Sequence, residues 1–268
     1  MEWFNPENFF DLEDPGPLAG LFQGLSRVWE VLDGLEPFIA RTMRPNVAEL
    51  RRGGGLVAEP AALLEGRVYW GVAYEHGDPA RGGLKVYHQG RLLPDAALIM
   101  PGAVLADDGL EIGAGALVES GAFLKGPAVI GPRSEVRQGA YVRGAVWSSP
   151  GAVIGHATEA KNTLLLPEAK AGHFAYLGDS LLGQGVNLGA GTKLANFKMT
   201  DLPYVFRVAG REVEVRRRKF GAVIGDGAAT GCNAVTNPGV MLGRKAKVLP
   251  NVSVPSGYYP ARTLIRGQ

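Results

Sequence analysis

The chain has 268 residues, 46% of them hydrophobic, enough to bury a sizeable core. Lys plus Arg number 28 against 26 Asp plus Glu, so no global field draws the chain to nucleic acid or an anionic membrane, and neither is expected as a partner. No apolar run reaches membrane length, the start from Met1 to Asp14 is acidic and unlike a signal peptide, and one cysteine with four scattered histidines offers neither a disulfide nor metal-ligand spacing; a cytoplasmic chain that needs no metal is expected.

From Asn8 to Met43 apolar residues fall at helical spacing, Phe22, Leu25, Val28, Trp29, Leu32 and Leu35 among them, which predicts one or two amphipathic helices. Next comes a linker around Arg51-Arg52-Gly53-Gly54-Gly55. Arg67 to Glu75 and Leu84 to Leu93 read as two strands joined by a Gly-rich turn. Residues 1–94 are therefore expected to form an N-terminal helical and α+β module, packed against the start of the longer C-terminal region.

The 39 glycines and 18 prolines, without low-complexity runs, point to regularly spaced turns. Stepping by six from Ile112 meets Val118, Leu124, Ile130, Val136 and Val142, then, past the exception Ser148, Ile154, Ala160 and Leu166. Small residues such as Ala116, Ala122 and Ala128 stand two places earlier, and Gly often comes directly after. The register slips once between Leu166 and Leu182 and resumes through Leu188, Leu194, Ile224, Thr230, Thr236, Leu242, Val248 and Val254. A strand that turns after every sixth residue is one side of a triangular coil, and three hexads close it. Stacked coils make a parallel β-helix, predicted for residues 95–256, with 257–268 as a C-terminal tail.

Residues 198–219 interrupt the repeat without changing its register. Tyr204 to Val208 and Arg211 to Val215 alternate around Ala209-Gly210 as an inserted β-hairpin, ending in the cationic run Arg216-Arg217-Arg218-Lys219. Rooted two residues after Asn196, it is expected to leave the prism as a flap, its basic base meeting phosphates.

The slipped segment holds Lys170-Ala171-Gly172-His173-Phe174-Ala175-Tyr176-Leu177-Gly178-Asp179, then Val186-Asn187-Leu188-Gly189-Ala190-Gly191-Thr192 and Asn196. With Arg217-Arg218-Lys219-Phe220-Gly221-Ala222-Val223-Ile224-Gly225-Asp226, Thr230-Gly231-Cys232-Asn233 and Asn237-Pro238-Gly239, this text resembles the hexapeptide-repeat acetyltransferase domain of bifunctional N-acetylglucosamine-1-phosphate uridylyltransferases, nearest their archaeal-type branch. The resemblance covers roughly residues 97 to 256. It implies a left-handed coil, a homotrimer with sites between prisms, and acetyl transfer from acetyl-coenzyme A to the amine of a hexosamine 1-phosphate, glucosamine 1-phosphate preferred. It implies roles as well. His173 is the base that takes the amine proton, Asn196 is a catalytic-site residue that helps hold the sugar and the amine, and Glu159 is a group that could orient or charge-stabilise His173. Tyr176 and Asn187 hold the sugar, Arg143 and Lys161 grip its phosphate, and Ala190, Lys219 and Cys232 lie along coenzyme A. His76, His88 and His156 carry no motif.

The resemblance stops at the N-terminus. The nucleotidyltransferase domain of the bifunctional relatives opens on a Gly-x-Gly-Thr-Arg loop and carries a Pro-Lys dipeptide, neither of which appears here, so uridylyl transfer is not expected. After Asn196 the lysines of the archaeal type are also reduced to Lys198, followed by Met199, Thr200, Asp201, Leu202 and Pro203. Two other readings stay open: an acyltransferase for another amino sugar, free or nucleotide-linked, and a non-catalytic β-helix scaffold or regulatory binder.

Overall fold

Each predicted hexad is one side of a triangular coil. In the computed structural model, which describes residues 2–267, short strands pair in parallel from coil to coil and stack their inward aliphatic residues. The result is a parallel β-solenoid. Its first face runs from Ala97–Ile99 to Leu264–Ile265, its second from Val104–Leu105 to Ser253–Val254, and its third from Leu110–Ile112 to Gly257–Tyr259. One apolar core fills the prism, with Ile112, Val118, Leu124, Ile130, Val136 and Val142 among its members. Ser148, the exception in the repeat, is buried and satisfied: its hydroxyl accepts from Gly131 N–H at 3.2 Å. Among the described residues no helix is long and apolar enough to cross a membrane.

The register slip is two slips, not one. Ser148 pairs with Leu165 and Leu165 with Leu182, steps of 17 residues where three hexads give 18. Leu165, rather than Leu166, therefore faces the core, and Leu166 packs outside it. Both short coils lose their residue at the corner between the second and third faces, where Glu159–Leu165 and Tyr176–Leu182 run on as single strands. Each turns that corner on one left-handed residue, Asn162 (φ 46°) and Asp179 (φ 46°).

Residues 257–268 are not a tail as far as they are described. Gly257–Tyr259 and Leu264–Ile265 pair with Val240–Leu242 and Lys247–Val248 and complete a last coil. The N-terminal residues likewise depart from the expected arrangement. Arg67 to Glu75 is two strands broken at Gly71-Val72: Arg67–Trp70 forms a hairpin with Ala61–Leu64, which pairs antiparallel to Ala97–Ile99 and joins the first face. Ala73–Glu75 belongs instead to a separate three-stranded sheet with Lys85–His88 and Arg91–Leu92. This part does sit at the first coils, covering Leu98 and Leu117.

The helices do not. They lie along the third face, whose outward column Val129, Trp147, Leu164, Leu181, Val223, Met241 and Tyr258 is apolar from coil to coil. Helix Val31–Thr42 and the turns before it bury Phe4, Phe9, Phe10, Phe22, Trp29, Leu35 and Phe38 against that column. The segment is also pinned by polar contacts: Asp226 accepts from Asp11 N–H at 2.6 Å and from Gln184 N–H at 2.7 Å.

The hairpin strands are those read from the sequence, Tyr204–Val208 and Arg211–Val215, turning on Ala209 (φ 48°) and Gly210 (φ 74°). It does not stand away as a flap. Tyr204, Phe206 and Val215 are buried, with Phe206 against Phe4, Trp29 and Phe220. Arg217 is held by Asp33 at 2.5 Å and is only 14% exposed, so it belongs to this packing rather than to a free phosphate clamp. The alternation that makes the hairpin also gives it an apolar side, and the third face is where that side is buried.

Candidate active site

The edge between the first and second faces is built by a repeated contact. The backbone N–H after each edge residue donates to the edge carbonyl one coil earlier: Phe174 to His156 (2.8 Å), Gly191 to His173 (3.0 Å) and Asn233 to Ala190 (2.8 Å). His156, His173, Ala190 and Cys232 thus stand in one column. His173 is exposed, and its imidazole has no hydrogen-bond partner among the described residues. The residue after each edge position takes a positive φ, and Phe174 (φ 52°) is bulky where Gly191 (φ 77°) occupies the next coil. Its ring is 54% exposed and stands edge-on to His156 at 5.0 Å, forming a wall beside His173. Past His173 the edge is low. A Cβ on Gly189 would come within 2.5 Å of the Gly231 backbone, the edge residues there are the small Ala190 and the exposed Cys232, and at Gly191 the Asn233 amide and Lys193, which donates to Gly191 O at 2.9 Å, lie alongside.

The second face carries the polar network. Tyr176 Oη donates to Asn196 Oδ1 at 3.3 Å, Asn196 Nδ2 donates to one Asp179 oxygen, and Asn162 Nδ2 donates to the other at 2.9 Å. Asp179 and Asn196 are buried, so these charge-assisted bonds fix the Asn196 amide. Burial, and then the negative charges of Glu159 and Asp179, push the Tyr176 phenol above its ordinary value, leaving it a neutral donor. Gly178 makes the contact possible: a Cβ there would lie 2.5 Å from Asn196 Nδ2 and 2.7 Å from Tyr176 Oη. Arg143 reaches Glu159 at 2.5 Å, and this hydrogen bond raises the guanidinium further above its usual range. Lys161, half-buried, comes after Arg143 in register and precedes Gly178.

Eight of the ten sequence-derived candidates therefore fall in two groups. His173, Ala190 and Cys232 share the edge; Arg143, Lys161, Glu159, Tyr176 and Asn196 share the second face. Glu159 is engaged by Arg143, and no contact joins it to His173, so the orienting role expected of it is not what its carboxylate does here. Asn187 lies exposed on the first face between Lys170 and Ala229. Lys219 is not with Ala190 and Cys232: its backbone bridges to Phe197, and Phe220 N–H donates to Asn196 O at 2.9 Å, which sets Lys219 at the root of the insertion beside Asn196. Sequence reasoning missed Asn162, Phe174 and the roles of Gly178 and Asp179. A signal existed for two of these, since Asn162-Thr163-Leu164-Leu165 and Asp179-Ser180-Leu181-Leu182 share one pattern, a turn-forming residue, a small hydroxyl residue and two leucines, one short coil apart.

Fold and sequence together define a hexapeptide-repeat parallel β-solenoid whose candidate site residues lie along one edge and the adjoining face. Its relatives include the bifunctional sugar-1-phosphate nucleotidylyltransferase/acetyltransferase of Sulfurisphaera tokodaii, 33% identical over 155 residues, 51% of this chain and 39% of that protein. The bifunctional protein GlmU of Methanococcus vannielii is 34% identical over 115 residues, 43% of this chain and 28% of that one. GlmU of Thermus thermophilus is 44% identical over 100 residues, 36% and 21% of the two chains. The chain thus spans two fifths or less of the length of these relatives. No family model matches. Among solved structures, the UDP-N-acetylglucosamine acyltransferase of Francisella novicida aligns with a TM-score of 0.42 at 16% identity, over 59% of this chain and 56% of that one.

Proposed function

We propose that the chain is an acetyl-coenzyme-A-dependent N-acetyltransferase acting on the amine of an amino sugar 1-phosphate, with glucosamine the preferred hexosamine. The observation that carries this reading is an unpartnered, exposed His173 on an edge that is low beyond it, beside a face where a fixed amide and phenol stand in line with Lys161 and Arg143. Acetyl-coenzyme A would supply the thioester carbonyl, and the absence of large side chains at Gly189, Ala190 and Cys232 fits a pantetheine chain lying close to the backbone. His173 takes the proton of the attacking amine. Asn196 and Tyr176 hold the sugar and amine, and Arg143 and Lys161 neutralise the phosphate. The carbonyl oxygen is met by an edge N–H other than those of Phe174, Gly191 and Asn233, which are donated between coils.

His173 and Asn196 stand at opposite margins of the second face, six residue positions apart along a coil, a separation of up to about 20 Å. A second prism packed on that face would close the gap between them, and a homotrimer supplies one. Thiol release from acetyl-coenzyme A with glucosamine 1-phosphate tests the function. Turnover that saturates in both substrates is expected; silence across a panel of amino sugars, with no coenzyme A binding, would leave a scaffold.

A further inference from the structure

The outward positions of the second face form two parallel columns. One reads Phe123, Tyr141, Glu159, Tyr176; the other reads Lys125, Arg143, Lys161, Gly178. The cations are a bounded run, with Ala106 before Lys125 and Gly178 after Lys161. Coils are about 4.8 Å apart, so the three cations span roughly 10 Å. Only Glu159 offsets them on this face. Asp107 is spent on the Gly126 N–H and Asp108 on Arg51, while Lys125 is exposed with no ion-pair partner among the described residues. A single phosphate needs two of these cations, and the third lies on the side away from Tyr176 and Asn196. Beside it stand two aromatic rings, Phe123 (38% exposed) and Tyr141 (41%), 5.5 Å apart, with the Arg143 guanidinium 5.7 Å over Tyr141.

We infer that Lys125, Phe123 and Tyr141 form a nucleotide subsite continuous with the sugar-phosphate cations, so that a nucleoside-diphosphate-linked amino sugar is taken as an acceptor beside the free sugar 1-phosphate and more tightly than it. The inference rests on the acyltransferase reading of the same face. From the amine at Tyr176 and Asn196 the order is sugar, first phosphate at Lys161 and Arg143, second phosphate at Lys125, and base on the rings. Aromatic faces accept any base, and the cations supply the charge a diphosphate requires.

The test uses the full chain with acetyl-coenzyme A and two acceptors, glucosamine 1-phosphate and UDP-glucosamine, alongside calorimetric titration with UDP-glucosamine alone. The expected result is a KM for UDP-glucosamine at least tenfold below that for glucosamine 1-phosphate. Lys125→Ala and Tyr141→Ala should each erase most of that preference and weaken the calorimetric Kd at least fivefold. Equal KM values, or variants that shift both acceptors alike, overturn the subsite. So does a change of oligomer mass in Tyr141→Ala, which would make the rings a contact between copies. Thiol release with neither acceptor defeats the acyltransferase reading, and the titration still decides the subsite.

Discussion

A methyl group on Gly178 would press on both Asn196 Nδ2 and Tyr176 Oη, so Gly178→Ala must either break their contact or shift the buried Asp179 that anchors it. Overpacking of this kind costs about 1–3 kcal/mol. The variant should stay folded, with acceptor KM raised at least tenfold and the KM for acetyl-coenzyme A unchanged, as steady-state kinetics would show. His173→Ala should keep the melting temperature and lower turnover by about a hundredfold or more, as loss of a general base does; unchanged turnover removes His173 from the mechanism. Because Tyr176 is held neutral, Tyr176→Phe should raise acceptor KM while leaving the shape of the pH–rate profile below about pH 9 as it was. His173, Tyr176 and Asn196 could be picked out beforehand because each stands in a distinctive string of neighbours. Asn162 and Asp179 could not, because their importance comes from a missing corner residue, and a count by sixes that accepts Leu166 passes over the deletion.

The docked hairpin makes a different demand from a flap. Phe206 is fully buried against Phe4, Trp29 and Phe220, so Phe206→Ala should cost about 3–5 kcal/mol in denaturant unfolding. Turnover per folded molecule should stay near wild type, and a large fall in kcat without loss of stability would restore the flap. Arg217→Ala breaks the tie to Asp33 and should lower stability by up to about 1 kcal/mol with little effect on KM. The strands of this hairpin were legible from alternation and the Ala209-Gly210 turn, but its partner was not read. A clue lay in the third-face strands, which are apolar on both sides, as in Ala128-Val129-Ile130, Ala222-Val223-Ile224 and Val240-Met241-Leu242. The first and second faces place Lys170, Asn187, Glu159 and Lys193 outward instead. A strand without a polar side is buried on both, so these three announce a cover over one face of the prism.

With the third face covered and the early coils of the first hidden under the N-terminal sheet, the second face and the later first face are the surfaces left for another copy, and His173 lies on the edge between them. Light scattering at micromolar concentration should therefore give three times the chain mass, and a monomer would count against sites shared between prisms. In a bare solenoid each coil touches only its neighbours, so melting can begin at either end and travel coil by coil. Here the N-terminal segment and the hairpin rest on a single column from Val129 to Tyr258, binding coils that are otherwise strangers to one another. That converts a one-dimensional chain of local stabilities into a cooperative unit. Loosening the cover by Asp226→Ala, which frees the Asp11 and Gln184 amides, should split one sharp calorimetric transition into a broad early one and a later one, while a single shifted peak would mean that the coils cooperate without their brace.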